Sequence, residues 1–164
     1  MFFQDFLIVF DLFELALTVG ASTFALTFYF MGIKDGTIDA SEKRFMHAVY
    51  FALRLALALI IVTEVYYLYQ YGLANFPLAP TLEILLFRWA VIAIIIVNAV
   101  LMHIHKMPMW LGPALAGGSW YTLFAVSVWP NLTAGFIELS IYYAVFVIFM
   151  VGLLRVIKSL YLKK

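Results

Sequence analysis

Residues 82–105 read LEILLFRWAVIAIIIVNAVLMHIH, and this stretch decides the class of fold. It is apolar throughout except for Glu83, Arg88, Asn98 and the histidines at its end. A helix of roughly 20 mostly apolar residues crosses the hydrocarbon core of a bilayer. Four more segments of this kind lie at 6–31, 45–71, 110–129 and 132–157. The segment 110–129 is short and carries Pro113 and Gly117-Gly118. It reads as a broken or tilted helix, which is tolerated where neighbours satisfy its backbone.

The composition agrees. Of 164 residues, 66% are hydrophobic and 12% charged, whereas a soluble domain is closer to about 45–50% apolar and about 25% charged. A soluble globule of this size could not hide so much apolar surface. There are no cysteines, which excludes disulfides, thiolate metal sites and cysteine nucleophiles. The opening residues lack the basic region of a cleaved signal peptide, so the first hydrophobic segment is expected to remain in the protein. The expected fold is all-α: a polytopic transmembrane bundle of five helices, forming a single integral membrane domain over 1–164.

The connections fit. Residues 34–44 are polar, with Gly36 as a turn residue and Asp39 and Ser41 as candidate N-caps. Pro77 and Pro80 break the chain before the third helix, Pro108 after it, and Pro130-Asn131 makes a tight turn. Arg54 and Arg88 lie within helices. The remaining basic residues, Lys34, Lys43, Arg44, Lys106, Arg155, Lys158, Lys163 and Lys164, all fall on one face when the chain crosses five times. The opposite face carries only the acids Asp5 and Glu83. Basic loops stay in the cytoplasm, so the N-terminus is expected outside and the C-terminus inside, in the cytoplasmic membrane of a prokaryote. Tyr66, Tyr67, Tyr69, Tyr71, Trp110 and Trp129 take the positions of interfacial aromatic belts.

Ionisable groups at membrane depth are costly and mark functional positions. Counted at about 1.5 Å per residue from the outer helix ends, Asp11, Glu14, Glu64, Arg88 and Glu138 share one layer in the outer half of the bilayer. On the first helix Asp11, Glu14, Thr18 and Ser22 fall within one narrow arc, a polar stripe suited to the bundle interior. Four carboxylates against one arginine require protons or a cation for balance. The cluster therefore points to a proton relay or to an oxygen-liganded divalent cation. The plainer reading is a set of ion pairs, such as Glu64 with Arg88, that holds helices together.

His47, His103 and His105 gather near the opposite, basic end. Two histidines from facing helices could ligate heme b. His103 and His105 are about 200° apart on a helix, so at most one would serve. Arg54, on the face of His47, would then pair with a haem propionate or another anion; otherwise it snorkels to the headgroups. Solvated histidines at helix ends are the plainer alternative.

The triplet Asn131-Leu132-Thr133 matches a glycosylation sequon but sits almost at the membrane surface. Gly112 with Ala116, and Gly117-Gly118-Ser119, allow close helix approach within the bundle. No nucleotide-binding or hydrolase motif occurs, and no basic patch suited to nucleic acid. The expected function is proton or cation handling through the carboxylates. The alternatives are a b-type electron carrier and an accessory subunit of a larger membrane complex. The lipid bilayer is the expected surrounding, with a homo-oligomer or larger membrane complex as further partners. A fluorescent protein fused after Lys164 is expected to fluoresce, and alkaline phosphatase fused there to stay inactive. An active phosphatase would reverse the orientation.

Overall fold

Apolar segments of this length have one economical solution in lipid, the helix, which satisfies its own backbone. The computed structural model describes residues 2–35, 39–72, 81–108, 110–129 and 132–162. Within them the chain forms five helices and no strand: α1 (Phe2–Asp35), α2 (Ala40–Gly72), α3 (Leu82–His103), α4 (Gly112–Val128) and α5 (Phe136–Leu162). Four of these are long and apolar enough to cross a membrane, over Val9–Met31, Ala40–Tyr69, Leu82–His103 and Phe136–Leu160. The helix α4 has 17 residues, about 26 Å of axis, and is short against a hydrocarbon core of about 30 Å. Gly36, Pro77, Pro80, Pro130 and the sequon's Asn131 lie outside the described residues.

The helices α1 and α2 outrun the apolar windows that announced them, because hydropathy marks the hydrocarbon and not the helix. By contrast, α3 and α4 stop inside theirs and α5 starts at Phe136 rather than 132. Asp39 starts α2 five residues before Arg44: its Oδ1 accepts from the Ser41 and Glu42 amides at 2.8 and 2.7 Å, while Glu42 Oε2 accepts from the Asp39 amide at 3.0 Å. This reciprocal cap extends the helix through a charged segment. Thr81 caps α3, accepting from the Ile84 amide. That helix stops at His103, and His105 takes a left-handed φ of 56°. The start of α5 is capped from another helix, Glu83 Oε2 of α3 accepting from the Phe136 amide at 2.9 Å.

Successive helices run in opposite directions. Arg88, early in α3, meets both Glu64, late in α2, and Asp11, early in α1. Asn98, late in α3, donates to the carbonyl of Gly112 at the start of α4 at 3.0 Å. The short α4 is the centre of the bundle, packed against α1, α3 and α5. Its sequence explains why. Small residues let neighbouring backbones approach closely, and Gly117, Gly118, Ala114 and Ser119 are buried. A Cβ on Gly117 would stand 3.1 Å from Leu26 Cδ1, and one on Gly118 3.1 Å from Val147 Cγ2. Side-chain hydrogen bonds join the same helices: Ser119 with Tyr143 at 2.8 Å and Thr23 with Tyr121 at 2.7 Å.

Burial is inverted relative to a soluble protein. Ile137 and Ile148 are 73% and 70% exposed, whereas Glu14, Thr18, Ser22, Thr63, Glu64, Arg88 and Asn98 are buried. An apolar exterior around an apolar core that also buries charged and polar groups belongs to an integral membrane protein. Gly118→Leu is expected to cost about 1–3 kcal/mol by forcing α4 from α5. Gly20→Ala, where an added Cβ meets nothing within 4 Å, should be neutral or stabilising by up to about 1 kcal/mol. Thermal unfolding in mild detergent separates the two; equal melting temperatures would contradict the close α4–α5 contact.

Candidate functional site

The site grows from one residue. Arg88 is six residues past the start of α3, buried at 4% exposure. A guanidinium stays charged in any protein environment, and at this depth it needs partners from within the chain. It finds them on two other helices. Its Nη2 lies 3.4 Å from Asp11 Oδ1 of α1, and its Nε forms an ion pair with Glu64 Oε1 of α2. The ring of Tyr67, one turn beyond Glu64, lies 5.8 Å from the guanidinium carbon, within range of a cation–π contact. Glu14, one turn below Asp11 on α1, stands beside it and accepts from Thr63 Oγ1 at 3.1 Å.

Three helices are thereby tied at one height by three carboxyls, a guanidinium, a phenol and a hydroxyl. Glu14 and Glu64 are fully buried, while the Asp11 side chain keeps 13% of its surface exposed. Asp11 is therefore the cluster's contact with the surroundings. Glu14 Oε1 and Glu64 Oε2 have no hydrogen-bond partner among the described residues. Below the cluster the stripe continues through buried Thr18 and Ser22, each donating to its own helix backbone.

Of the residues singled out from the sequence, the structure thus brings Asp11, Glu14, Glu64 and Arg88 together. Glu138 stays apart. It is exposed in the first turn of α5, where Oε2 accepts from the Gly135 amide at 3.2 Å. A helix N-terminus attracts a carboxylate, and this local attraction accounts for its place without the cluster. Tyr67 was expected in an aromatic belt; it is buried, with only 7% exposed, because it follows Glu64 by one turn on the same face. Sequence reasoning passed over Thr63 and Tyr67, although helical spacing from Glu64 was signal enough for the second.

The basic end is arranged differently. His47, His103 and His105 are exposed. His105 alone of the three lines a cavity of about 540 Å³, whose wall also includes Ser22 and Lys158. Among the described residues, no group of three or more His, Asp or Glu is disposed to hold a metal ion. Arg54 is exposed and takes part in neither ion pair among the described residues. A second cavity, about 340 Å³, lies between α3, α4 and α5 and is walled by aromatic and aliphatic side chains including Phe87, Trp129 and Tyr143.

No protein-family model, curated protein or solved structure matches this chain. The reading of the site rests on its geometry. Arg88→Gln should destabilise the bundle by about 3–5 kcal/mol, because it leaves a buried carboxylate unpaired. Adding Glu64→Gln should recover part of that loss, and the shortfall from additivity measures the pair. Strictly additive unfolding energies would show that the two residues do not interact.

Proposed function

We propose that this chain is a proton-handling membrane protein whose working groups are Asp11, Glu14 and Glu64, with Arg88 as their fixed counter-charge. The observation that carries the proposal is the place of Arg88, in contact with both Asp11 and Glu64 inside the bundle. A guanidinium there supplies the positive charge that a metal ion would otherwise bring, and it repels a second cation. What remains free to change is the number of protons. With every carboxyl ionised the cluster carries a net −2, and with two protons bound it is neutral. Two like charges about 4 Å apart repel by about 4 kcal/mol at an effective dielectric of 20. Moving one proton therefore shifts the balance of the whole cluster.

The arrangement has a direction. Asp11 is the partly exposed member and Glu14 and Glu64 lie behind it. Thr18 and Ser22 carry the polar stripe onward, and Ser22 forms part of the wall of the larger cavity. With basic residues kept on the cytoplasmic side, the acidic cluster belongs to the outer half of the membrane and the cavity to the inner half. In this reading α4 completes the bundle as a fifth, short span. Protons exchange with the outside at Asp11, pass to Glu14 and Glu64, and reach the cavity along α1.

The test is proton entry into liposomes holding a pH-sensitive dye, under an imposed pH gradient. Wild-type protein is expected to acidify the lumen faster than empty liposomes, and Glu14→Gln and Glu64→Gln each to slow that flux at least about tenfold, as expected when a proton-transfer group is lost. Asp11→Asn should act less strongly, because Asp11 is the partly exposed member of the cluster and the buried glutamates lie behind it. Wild-type flux no faster than that of empty liposomes, or unchanged flux in both glutamine variants, would overturn the reading.

A further inference from the structure

The larger cavity has its own chemistry, independent of the carboxylate cluster. Its wall draws on all five helices and on the α3–α4 connection. The register of the helices orders that wall. Leu53, Trp120 and Ser22 belong to the middle of α2, α4 and α1, so they lie deep. Tyr29, Met46, His105 and Lys158 belong to the ends that meet on the basic side, so they form the mouth. The depth is apolar apart from one serine. The mouth offers an ammonium, an imidazole and the phenols of Tyr29 and Tyr50.

The volume, about 540 Å³, falls in the range of cavities that hold small ligands, about 300–1,000 Å³. Three methionines, Met46, Met102 and Met107, belong to the wall, and methionine adapts its shape to flexible apolar ligands. The charge around the mouth favours an anion. Lys43, Arg44, Lys106 and Arg155 lie at the same end of the bundle as Lys158. Among the described side chains the acids there, Asp39 and Glu42, are engaged with the backbone amides that start α2. Basic pockets between transmembrane helices on the cytoplasmic side suit anionic lipid headgroups.

We infer that this cavity binds an anionic acyl lipid, with one hydrocarbon chain inserted towards Leu53 and Trp120 and the phosphate or carboxylate held at Lys158 and His105. The chain supplies the apolar contact that the deep wall lacks. The headgroup stays at the mouth, where water and the basic residues meet it. Ser22 at the floor lies beside the chain's far end, so an acyl chain in the cavity closes the inner end of the proposed proton path along α1, which is open only when the chain is absent.

Trp120 is the natural reporter. The experiment uses full-length protein in neutral detergent, with Trp89, Trp110 and Trp129 replaced by Phe, titrated with phosphatidylglycerol or phosphatidylcholine brominated on one chain. Saturable quenching by phosphatidylglycerol is expected, with phosphatidylcholine at least about fivefold weaker. Lys158→Gln should weaken the anionic lipid about fivefold, the share of one membrane-surface charge. Ala116→Phe, which fills the cavity, should abolish quenching. A brominated fatty acid that quenches where phosphatidylglycerol does not would support the site with free acid as its ligand. Native mass spectrometry of unaltered protein and of the exposed Lys158→Gln variant repeats the comparison without tryptophan replacements. Equal binding of both phospholipids, no binding of any anionic lipid, or indifference to Lys158→Gln would overturn the inference.

Discussion

A positive charge that cannot be discharged, placed six residues inside an apolar helix, is the constraint on which this bundle turns. Arg88 cannot face hydrocarbon at that depth without a cost of several kcal/mol, and the chain answers with Asp11 from α1 and Glu64 from α2. Those contacts set the relative height of three helices. They also set their rotation, since Glu14, Thr63 and Tyr67 follow the same faces inward. Buried ion pairs contribute little net stability once desolvation is counted. Their effect here is selection: a register that left Arg88 unpaired would be penalised, while apolar side chains against lipid discriminate weakly between registers.

The second constraint is steric. Lipid and leucine are equally apolar, so helices in a bilayer associate through close packing and hydrogen bonds. The short α4 supplies both. Its glycines admit Leu26 and Val147, and Ser119 and Tyr121 reach hydroxyls on α5 and α1. The most buried helix is thus the one with the weakest claim to span by length. It is surrounded by α1, α3 and α5, and its proline lies in the first turn, where no helical hydrogen bond is lost.

These constraints leave two chemically distinct ends. One holds acids around a buried arginine. The other holds an open cavity with a basic mouth. The stripe Glu14, Thr18, Ser22 on α1 runs from the first to the second, so one helix face addresses both sites. The acidic cluster and the cavity share α1 as a wall.

Much of this was legible in the amino-acid sequence, for a plain reason. Apolar length, the positions of Lys and Arg, and the 3.6-residue period are one-dimensional properties that lipid reads directly. They were enough for the helices and for the shared height of Asp11, Glu14, Glu64 and Arg88. They also gave the inward face of α1, where Glu14, Thr18 and Ser22 are buried; what they could not assign was which groups of the other helices turn towards that face. Counting from a segment that begins at 132 puts Glu138 in the same layer, yet α5 starts at Phe136 and Glu138 serves that terminus. Glu83, in the first turn of α3, caps the same terminus from across the bundle. Tyr67 left the interface for the interior on the same account. Only packing against neighbours decides which side of those helices faces inward. Here that decision rests on the partners of Arg88 and on the glycines of α4, neither of which acts before the helices have met.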